Sequence, residues 1–333
     1  MKKTVLILSL LLANQVFTNA EEEDNLLSRK GSEYQQPNQL LGWIDSRNKQ
    51  TLNGAWHYIV DPMDNGLPES IFGGFPKNKT QKDGMELIEY NFEKSKQMNI
   101  PGAWNTQDDR LFFYRGSVWF YKQFTFSKKT SSLTHLYFAG SNFRTKVFLN
   151  GHSVGEFIGG YVPFNFEVTD YLVEGENFLI VQVNNSLNKS TIPTHKTDWW
   201  PYGGLVDDIY LVSTPKKFIQ NVFLQLVNYE SGKVEIKVIG ESILEGSELK
   251  ISIPELGFSK SFKFNKHSQI TDFFYINPQL WTPKEPKLYK VIASTQLDLI
   301  SDNIGFRTIE TKGKKIFLNG KRYVQIPVAK RIS

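Results

Sequence analysis

The sequence predicts an all-β protein made of two sandwiches in series, and three observations predict it. Aromatic residues make up 14% of the 333 positions, with 25 Phe, 14 Tyr and 7 Trp, and such side chains fit the pleated, half-buried surface of a sheet. From residue 51 onward, short strand-like runs recur between Gly, Asn and Pro turn signals, the spacing expected of a sandwich. Strong helical periodicity and strand–helix alternation are both missing from the pattern, so a Rossmann sheet or a barrel of parallel strands is not expected within these residues.

The chain opens with Lys2 and Lys3, an apolar run TVLILSLLLANQVF, the small-residue site Thr18-Asn19-Ala20, and then EEED. That order reads as a secretory signal over residues 1–20, cut after Ala20, and its apolar run is short for a membrane span. A periplasmic or secreted location is therefore expected. Residues 21–50 are polar and turn-rich and are expected to form an N-terminal arm. TLNGAWHYIV (51–60) opens the strands, and residues 61–110, rich in Gly, Pro, Lys and Asp, read as long loops. GSVWFYKQFTF (116–126) is apolar on both alternating faces near its middle, which predicts a strand buried on both sides. HLYFAG (135–140) and KVFLNG (146–151) follow, and Asn150-Gly151 marks a two-residue hairpin because both residues tolerate positive φ. YVPFNFEVTDYL (161–172), NFLIVQVNN (177–185) and VDDIYLVSTP (206–215) complete the first block.

Residues 216–309 read as a second block of about ninety residues, the size of an immunoglobulin-like sandwich. FIQNVFLQLVN, KVEIKVIGE, ELKISIPEL and KLYKVIAST are its clear strands. KKIFLNGKRYVQIPV (314–328) predicts a further hairpin with Asn319-Gly320 at its turn.

Composition narrows the chemistry. The formal net charge is +5, and removing Lys2 and Lys3 with the leader leaves +3. Basic residues are scattered, so no nucleic-acid partner is expected, while mild positive charge suits an acidic polysaccharide. There is no cysteine, which excludes disulfides, thiol catalysis and cysteine-based metal sites. The five histidines, His57, His135, His152, His195 and His267, form no HxH or HxxxH pair, and GxSxG, P-loop and GxGxxG motifs are missing. No metal and no cofactor are expected. Outside the leader no long apolar run remains, so no membrane span is expected. A homo-oligomer is compatible with the sequence, which does not fix the oligomeric state.

The stretch with the most distinctive chemistry is TIPTHKTDWWPYGG (191–204). Its aromatic rings can stack on the C–H face of a sugar while Asp198 accepts hydrogen bonds from hydroxyls. The same residues also suit a packed loop in which Asp198 caps a turn. The glycine pairs 73–74, 159–160 and 203–204 read as turns. Asp207 and Asp208 are neighbours on an expected strand, pointing to opposite faces as surface charge.

GSVWFYKQFTF, KVFLNGHSVGEFIGGYVPFNFEVTDYL, VNNSLNKSTIP and DWWPYGGLVDDIYLVSTP, in that order, resemble the sugar-binding domain of glycoside hydrolase family 2. LWTPKEPKLYKV and IGFRTIETKGKKIFLNGKRY resemble its immunoglobulin-like domain and the entry to its catalytic barrel. The likeness runs from about residue 51 to 323. Within the family, NNSLNKSTIP and DWWPYGG are most similar to β-glucuronidases, with β-galactosidase-type members second.

The resemblance implies a jelly-roll sugar-binding domain over 51–215 and an immunoglobulin-like sandwich over 216–309. Residues 310–333 would be the start of a (β/α)₈ barrel, truncated in this chain. It also implies a substrate-binding role for Asp198, holding a hydroxyl of the terminal sugar, with Trp199 and Trp200 shaping the same wall. The carbohydrate partner would be a uronic-acid-containing oligosaccharide. The family's acid/base and nucleophile glutamates belong to the barrel, so no catalytic residue is carried over. After Tyr323 this chain continues as VQIPVAKRIS, which departs from the family's first barrel strand. The expectation is a family 2 β-glycosidase that is inactive as this chain alone; a carbohydrate-binding protein without catalysis is the alternative.

Overall fold

A computed structural model of the chain describes residues 35–64, 66, 91–128, 131–187, 191, 194, 200–242 and 246–324. Among these residues regular structure is nearly all strand. In the first part the strands are β1 (Asn48–Thr51), β2 (Gly54–Asp61), β3 (Gln97–Ile100), β4 (Gly102–Ala103), β5 (Ser117–Phe126), β6 (Ser132–Phe138), β7 (Arg144–Leu149), β8 (His152–Ile158), β9 (Phe164–Glu167), β10 (Gly175–Asn184), β11 (Gly204–Leu205) and β12 (Ile209–Pro215). A four-stranded sheet ordered β1-β12-β6-β9 faces a six-stranded sheet ordered β3-β2-β5-β10-β7-β8, and β11 pairs with β4. All pairings are antiparallel.

Why these residues form this sandwich is visible in β5. Val118 and Phe120 point into the core between the sheets, with Trp56 and Tyr58 of β2, Leu179, Val181 and Val183 of β10, and Leu136 and Phe138 of β6 across the gap. The alternate residues Trp119 and Tyr121 are buried on the opposite face with Phe92, Phe148 and Ile180. The strand is thus covered on both sides, as its sequence predicts. The covering element is a 3₁₀ turn, Phe92–Lys94, and Trp119 Nε1 donates to Asp61 Oδ2 at 2.9 Å, which satisfies the buried indole.

The second part comprises β13 (Phe218–Asn228), β14 (Lys233–Glu241), β15 (Glu248–Ile253), β16 (Phe258–Lys263), β17 (Gln269–Tyr275), β18 (Tyr289–Ser294) and β19 (Leu299–Ile304). Sheets β13-β14-β17 and β16-β15-β18-β19 enclose a core of Ile, Val, Leu and Phe that also takes in Trp43. A small sheet of β20 (Ile309–Lys312), β21 (Lys315–Leu318) and β22 (Lys321–Tyr323) follows.

The residues before β1 strap the two parts together. On one side, Leu41 N donates to Asn165 Oδ1 at 2.9 Å and Glu167 N to Asn38 Oδ1 at 2.6 Å. On the other, Gly42 N donates to Gln220 O at 2.9 Å. Arg47, buried, donates from Nε to Gly42 O (2.8 Å) and from Nη2 to Ile219 O (2.6 Å) and Gln220 O (3.2 Å). Leu41, Tyr137, Val212 and Phe218 fill the apolar part of this junction.

Several expectations change. The stretch 61–110 is not all loop: residues 97–100 form β3 at the edge of the six-stranded sheet, and 3₁₀ turns occupy 92–94, 104–106 and 109–111. Asp207 and Asp208 precede β12 instead of lying on it. Asp207 Oδ1 accepts from Asp208 N (2.8 Å), while Asp208 accepts from Asn53 Nδ2 (2.6 Å) and Tyr210 Oη (2.7 Å). The hairpins at Asn150-Gly151 and Asn319-Gly320 form as expected, with all four residues at positive φ.

Candidate functional site

The segment around Trp200 is held by three buried asparagines, each of which spends its amide on backbone that no sheet ladder satisfies. Asn105 follows Trp104 in the 3₁₀ turn after β4. Its Oδ1 accepts from Gly203 N at 2.9 Å, and its Nδ2 donates to Leu111 O (2.8 Å), Phe112 O (3.2 Å) and Tyr114 O (3.2 Å). Asn185, just after β10, accepts from Gly116 N at 3.0 Å and donates to Pro201 O at 2.7 Å. Asn142, before β7, donates to Tyr202 O at 2.7 Å and to Tyr161 Oη at 3.1 Å. Together they tie 111–116 and 200–204 into one unit.

The glycine pair 203–204 is not the turn its sequence suggests: Gly203 leads directly into β11, which begins at Gly204. A Cβ on Gly203 would lie 2.0 Å from Trp104 Cζ2, and on Gly204 (φ +139) it would lie 2.6 Å from Gly102 O. Gly204 pairs with Ala103 between β11 and β4, and Trp104 N donates to Gly203 O at 3.0 Å. The absence of side chains lets the chain pass directly over the Trp104 indole.

This frame presents an aromatic ledge. The Phe113 ring meets the Trp200 ring edge-on at 5.5 Å, and Phe112 meets Phe113 at 4.7 Å, also edge-on. Both phenylalanines face outward, Phe112 54% and Phe113 72% exposed; Tyr161, whose Oη donates to Tyr202 O, and Tyr202 are exposed as well. The Arg115 guanidinium lies 4.4 Å over the Trp200 ring. Among the described residues, Trp200 Nε1 and Asn142 Oδ1 are buried without a hydrogen-bond partner.

The acids near this frame have structural work. Asp108 begins the 3₁₀ turn that leads into Phe112. It accepts from Tyr58 Oη at 2.5 Å and from Arg110 Nη2 at 2.6 Å, which holds its carboxyl well below the usual carboxylate range. Burial, together with Asp108, pushes the Tyr58 hydroxyl up to about 12. Asp64 Oδ1 accepts from Ser117 Oγ and Gln182 Nε2, both at 2.6 Å. Tyr114 is pushed upward by burial, then by Asp61 and Asp64.

Of the residues singled out in the sequence, Trp200 is placed on the ledge, while Asp198 and Trp199 lie outside the described residues. Phe112, Phe113, Arg115, Tyr161, Asn105 and Asn142 were not singled out. Asn185 lies within the quoted VNNSLNKSTIP motif, which carried that signal. Among the described residues no group of three or more His, Asp or Glu side chains is placed to hold a metal, and no helix is long and apolar enough to cross a membrane. Chemically the ledge can stack on an apolar ring face and offer a cation beside it.

A family model described as "Glycosyl hydrolases family 2, sugar binding domain" matches residues 49–215, and "Glycosyl hydrolases family 2" matches 207–307. A Formosa agariphila protein named as a β-glucuronidase is 28% identical over 298 residues, covering 84% of this chain and 34% of that protein. A Clostridium acetobutylicum β-galactosidase is 26% identical over 309 residues, covering 83% of this chain and 33% of that protein. A solved β-glucuronidase of Bifidobacterium dentium, complexed with coumarin-3-O-glucuronide, shares the fold at TM-score 0.71 and 21% identity, covering 88% of this chain and 53% of that one. The chain thus spans about a third of the length of these curated relatives and about half of that solved structure. With the first model over half of its residues and the second running on from it, the chain belongs to glycosyl hydrolase family 2 and is β-glucuronidase- and β-galactosidase-like.

Proposed function

We propose that this chain is the substrate-presenting part of an exported family 2 β-glycosidase acting on terminal β-glucuronides. Residues 51–215 would be its sugar-binding jelly roll and 216–309 its immunoglobulin-like sandwich. Hydrolysis with retention needs an acid/base and a nucleophile carboxyl roughly 5–5.5 Å apart. We assign that pair to a (β/α)₈ barrel, which needs about 250 residues of its own, and the two sandwiches to holding and orienting the sugar. Asp198 would accept a hydroxyl of the terminal sugar, with Trp199 and Trp200 beside it.

The observation that carries this reading is the aromatic ledge of Trp200, Phe113 and Phe112, fixed by buried Asn105 and Asn185 inside the range of the sugar-binding family model. A ledge so tightly framed keeps its rings at fixed positions, which lowers the ordering cost of binding.

The test is to titrate the purified chain with p-nitrophenyl β-D-glucuronide and β-D-galactoside while following turnover. The reading expects binding on the order of millimolar Kd, about 4 kcal/mol, weakened by Asp198→Asn, with no turnover above background. Turnover would overturn the assignment of the carboxyl pair to a barrel, and no binding of either sugar would overturn the presenting role. A β-galactosidase-type role is the second reading, favoured by relatives of that name; tighter binding of the galactoside would select it. Export predicts that the mature protein, recovered from periplasm or medium, begins at Glu21.

A further inference from the structure

Among the described residues the cation on the ledge is held by the Trp200 ring alone. Arg115 is exposed, makes no ion pair or hydrogen bond among the described residues, and stands 4.4 Å over the Trp200 ring. Arg110 grips Asp108 at 2.6 Å, and Asp64 is taken by Ser117 and Gln182, while the exposed Asp109 precedes Arg110 in the same turn. A guanidinium 4.4 Å over an indole ring can turn its N–H edge outward, and that edge matches a two-oxygen anion bidentately. Beside it, Phe113 and Phe112 offer two exposed rings set edge to face, so that at least one ring face is open for stacking.

We propose that Arg115, Trp200, Phe113 and Phe112 form a binding site for a sugar residue bearing an anionic group, a uronate carboxylate or a sulfate ester. The sugar's C–H face lies on Phe113 and its anion meets the Arg115 guanidinium. This rests on the reading of the chain as carbohydrate-binding and adds to it the residue that selects charge. A sugar is favoured over an acidic peptide because all four residues lie within the range of the sugar-binding family model. The Trp200 platform also restrains the guanidinium, so less side-chain freedom is lost on binding.

The experiment titrates the full chain, by calorimetry at low salt, with four probes: a glucuronate-containing disaccharide, the matched glucose disaccharide, its 6-O-sulfated form, and a hexaglutamate peptide. The wild type is expected to bind an anionic sugar about tenfold more tightly than the neutral one, the increment of one charge-assisted contact. Whichever of uronate and sulfate binds more tightly names the anion. Arg115→Gln brings the ratio of anionic-sugar to neutral-sugar affinity to about one, while Phe113→Ser weakens all sugars by a similar factor and keeps their ranking. Both positions are exposed, and unchanged melting temperatures establish that the variants fold. Equal binding of neutral and anionic sugars, or a preference that survives Arg115→Gln, overturns the proposal alone. Hexaglutamate binding as tightly as the anionic sugars overturns the sugar assignment in favour of a protein partner. Failure of every sugar to bind overturns the carbohydrate-binding reading as well.

Discussion

Replacing Arg47 with Met should loosen the two sandwiches from each other. The guanidinium is buried and spans three backbone carbonyls, Gly42 O at 2.8 Å, Ile219 O at 2.6 Å and Gln220 O at 3.2 Å. Burial lowers its pKa to about 10, with Asp298 acting in the opposite direction. Each lost charge-assisted bond, with its acceptor left in a dry junction, costs about 1.5–3 kcal/mol. Methionine recovers much of this because no buried charge then needs desolvation, a saving of several kcal/mol, so the net loss is about 2–4 kcal/mol. Urea unfolding of the full chain, followed by tryptophan fluorescence and by far-ultraviolet circular dichroism, reads this directly. Trp43 reports the second core, and Trp56 and Trp104 report the first. The expected result is a lower midpoint with separation of the two probes' transitions. Arg47→Lys should restore only part of the loss, since one ammonium cannot repeat a fork across three carbonyls. A change below about 0.5 kcal/mol, the range of ordinary surface substitutions, would refute the reasoning that Arg47 joins the two halves.

The neighbouring His135 makes stability depend on pH. It is buried between Phe218, 5.4 Å away edge-on, and Thr214, whose Oγ1 is 3.1 Å from Nε2. Burial, then the charge of Arg47, lower its pKa from 6.5 to about 4. The neutral ring is the folded form, so its contribution is complete above pH 6.5 and is lost as pH falls toward 4, by at most about 3 kcal/mol. His135→Gln should flatten that part of the stability profile, measured by urea midpoints between pH 4 and 7; an unchanged slope would contradict the assignment. Gly203→Ala forces a Cβ to within 2.0 Å of Trp104 Cζ2. It should cost about 1–3 kcal/mol, lower the melting temperature by several degrees and weaken sugar binding. A variant with unchanged melting temperature and binding would show that the ledge does not depend on this close approach.

Strand β5 shows why much of the fold was legible. Its run VWFY has no polar face, and only a strand covered on both sides accommodates that, which the structure supplies through Phe92 and Phe148. The Asn-Gly pairs were legible for a local reason, the positive φ each demands. Strand β3, QMNI, was hidden because four residues with alternating burial inside a polar stretch carry too little periodicity to stand out. The edge position of that strand is set by its pairing with β2, a contact no local pattern encodes.

The candidate site divides along the same line. Trp200 announced itself by composition, as part of an aromatic cluster ending in two glycines. Phe112, Phe113 and Arg115 join it through Asn105, nearly a hundred residues away from Gly203, and that hydrogen bond is a tertiary fact. Asn105 and Asn142 are single polar residues in irregular segments. Nothing local separates them from solvated asparagines until the carbonyls they satisfy are known. Gly203 reads as a turn residue by sequence, whereas in the structure it leads into β11 and its missing side chain is a packing requirement of Trp104, a neighbour no local pattern reveals.

The most direct test of a sugar-presenting ledge is the indole N–H spectrum of the full chain during titration with a glucuronide oligosaccharide. Trp200, assigned by its loss in Trp200→Phe, lies on the ledge, whereas Trp56, Trp104 and Trp119 are fully buried in the cores. The account predicts a saturable shift of the Trp200 resonance, with those three core indoles unmoved. Shifts confined to the core tryptophans, or a Trp200 resonance that does not move at saturating sugar, would contradict it.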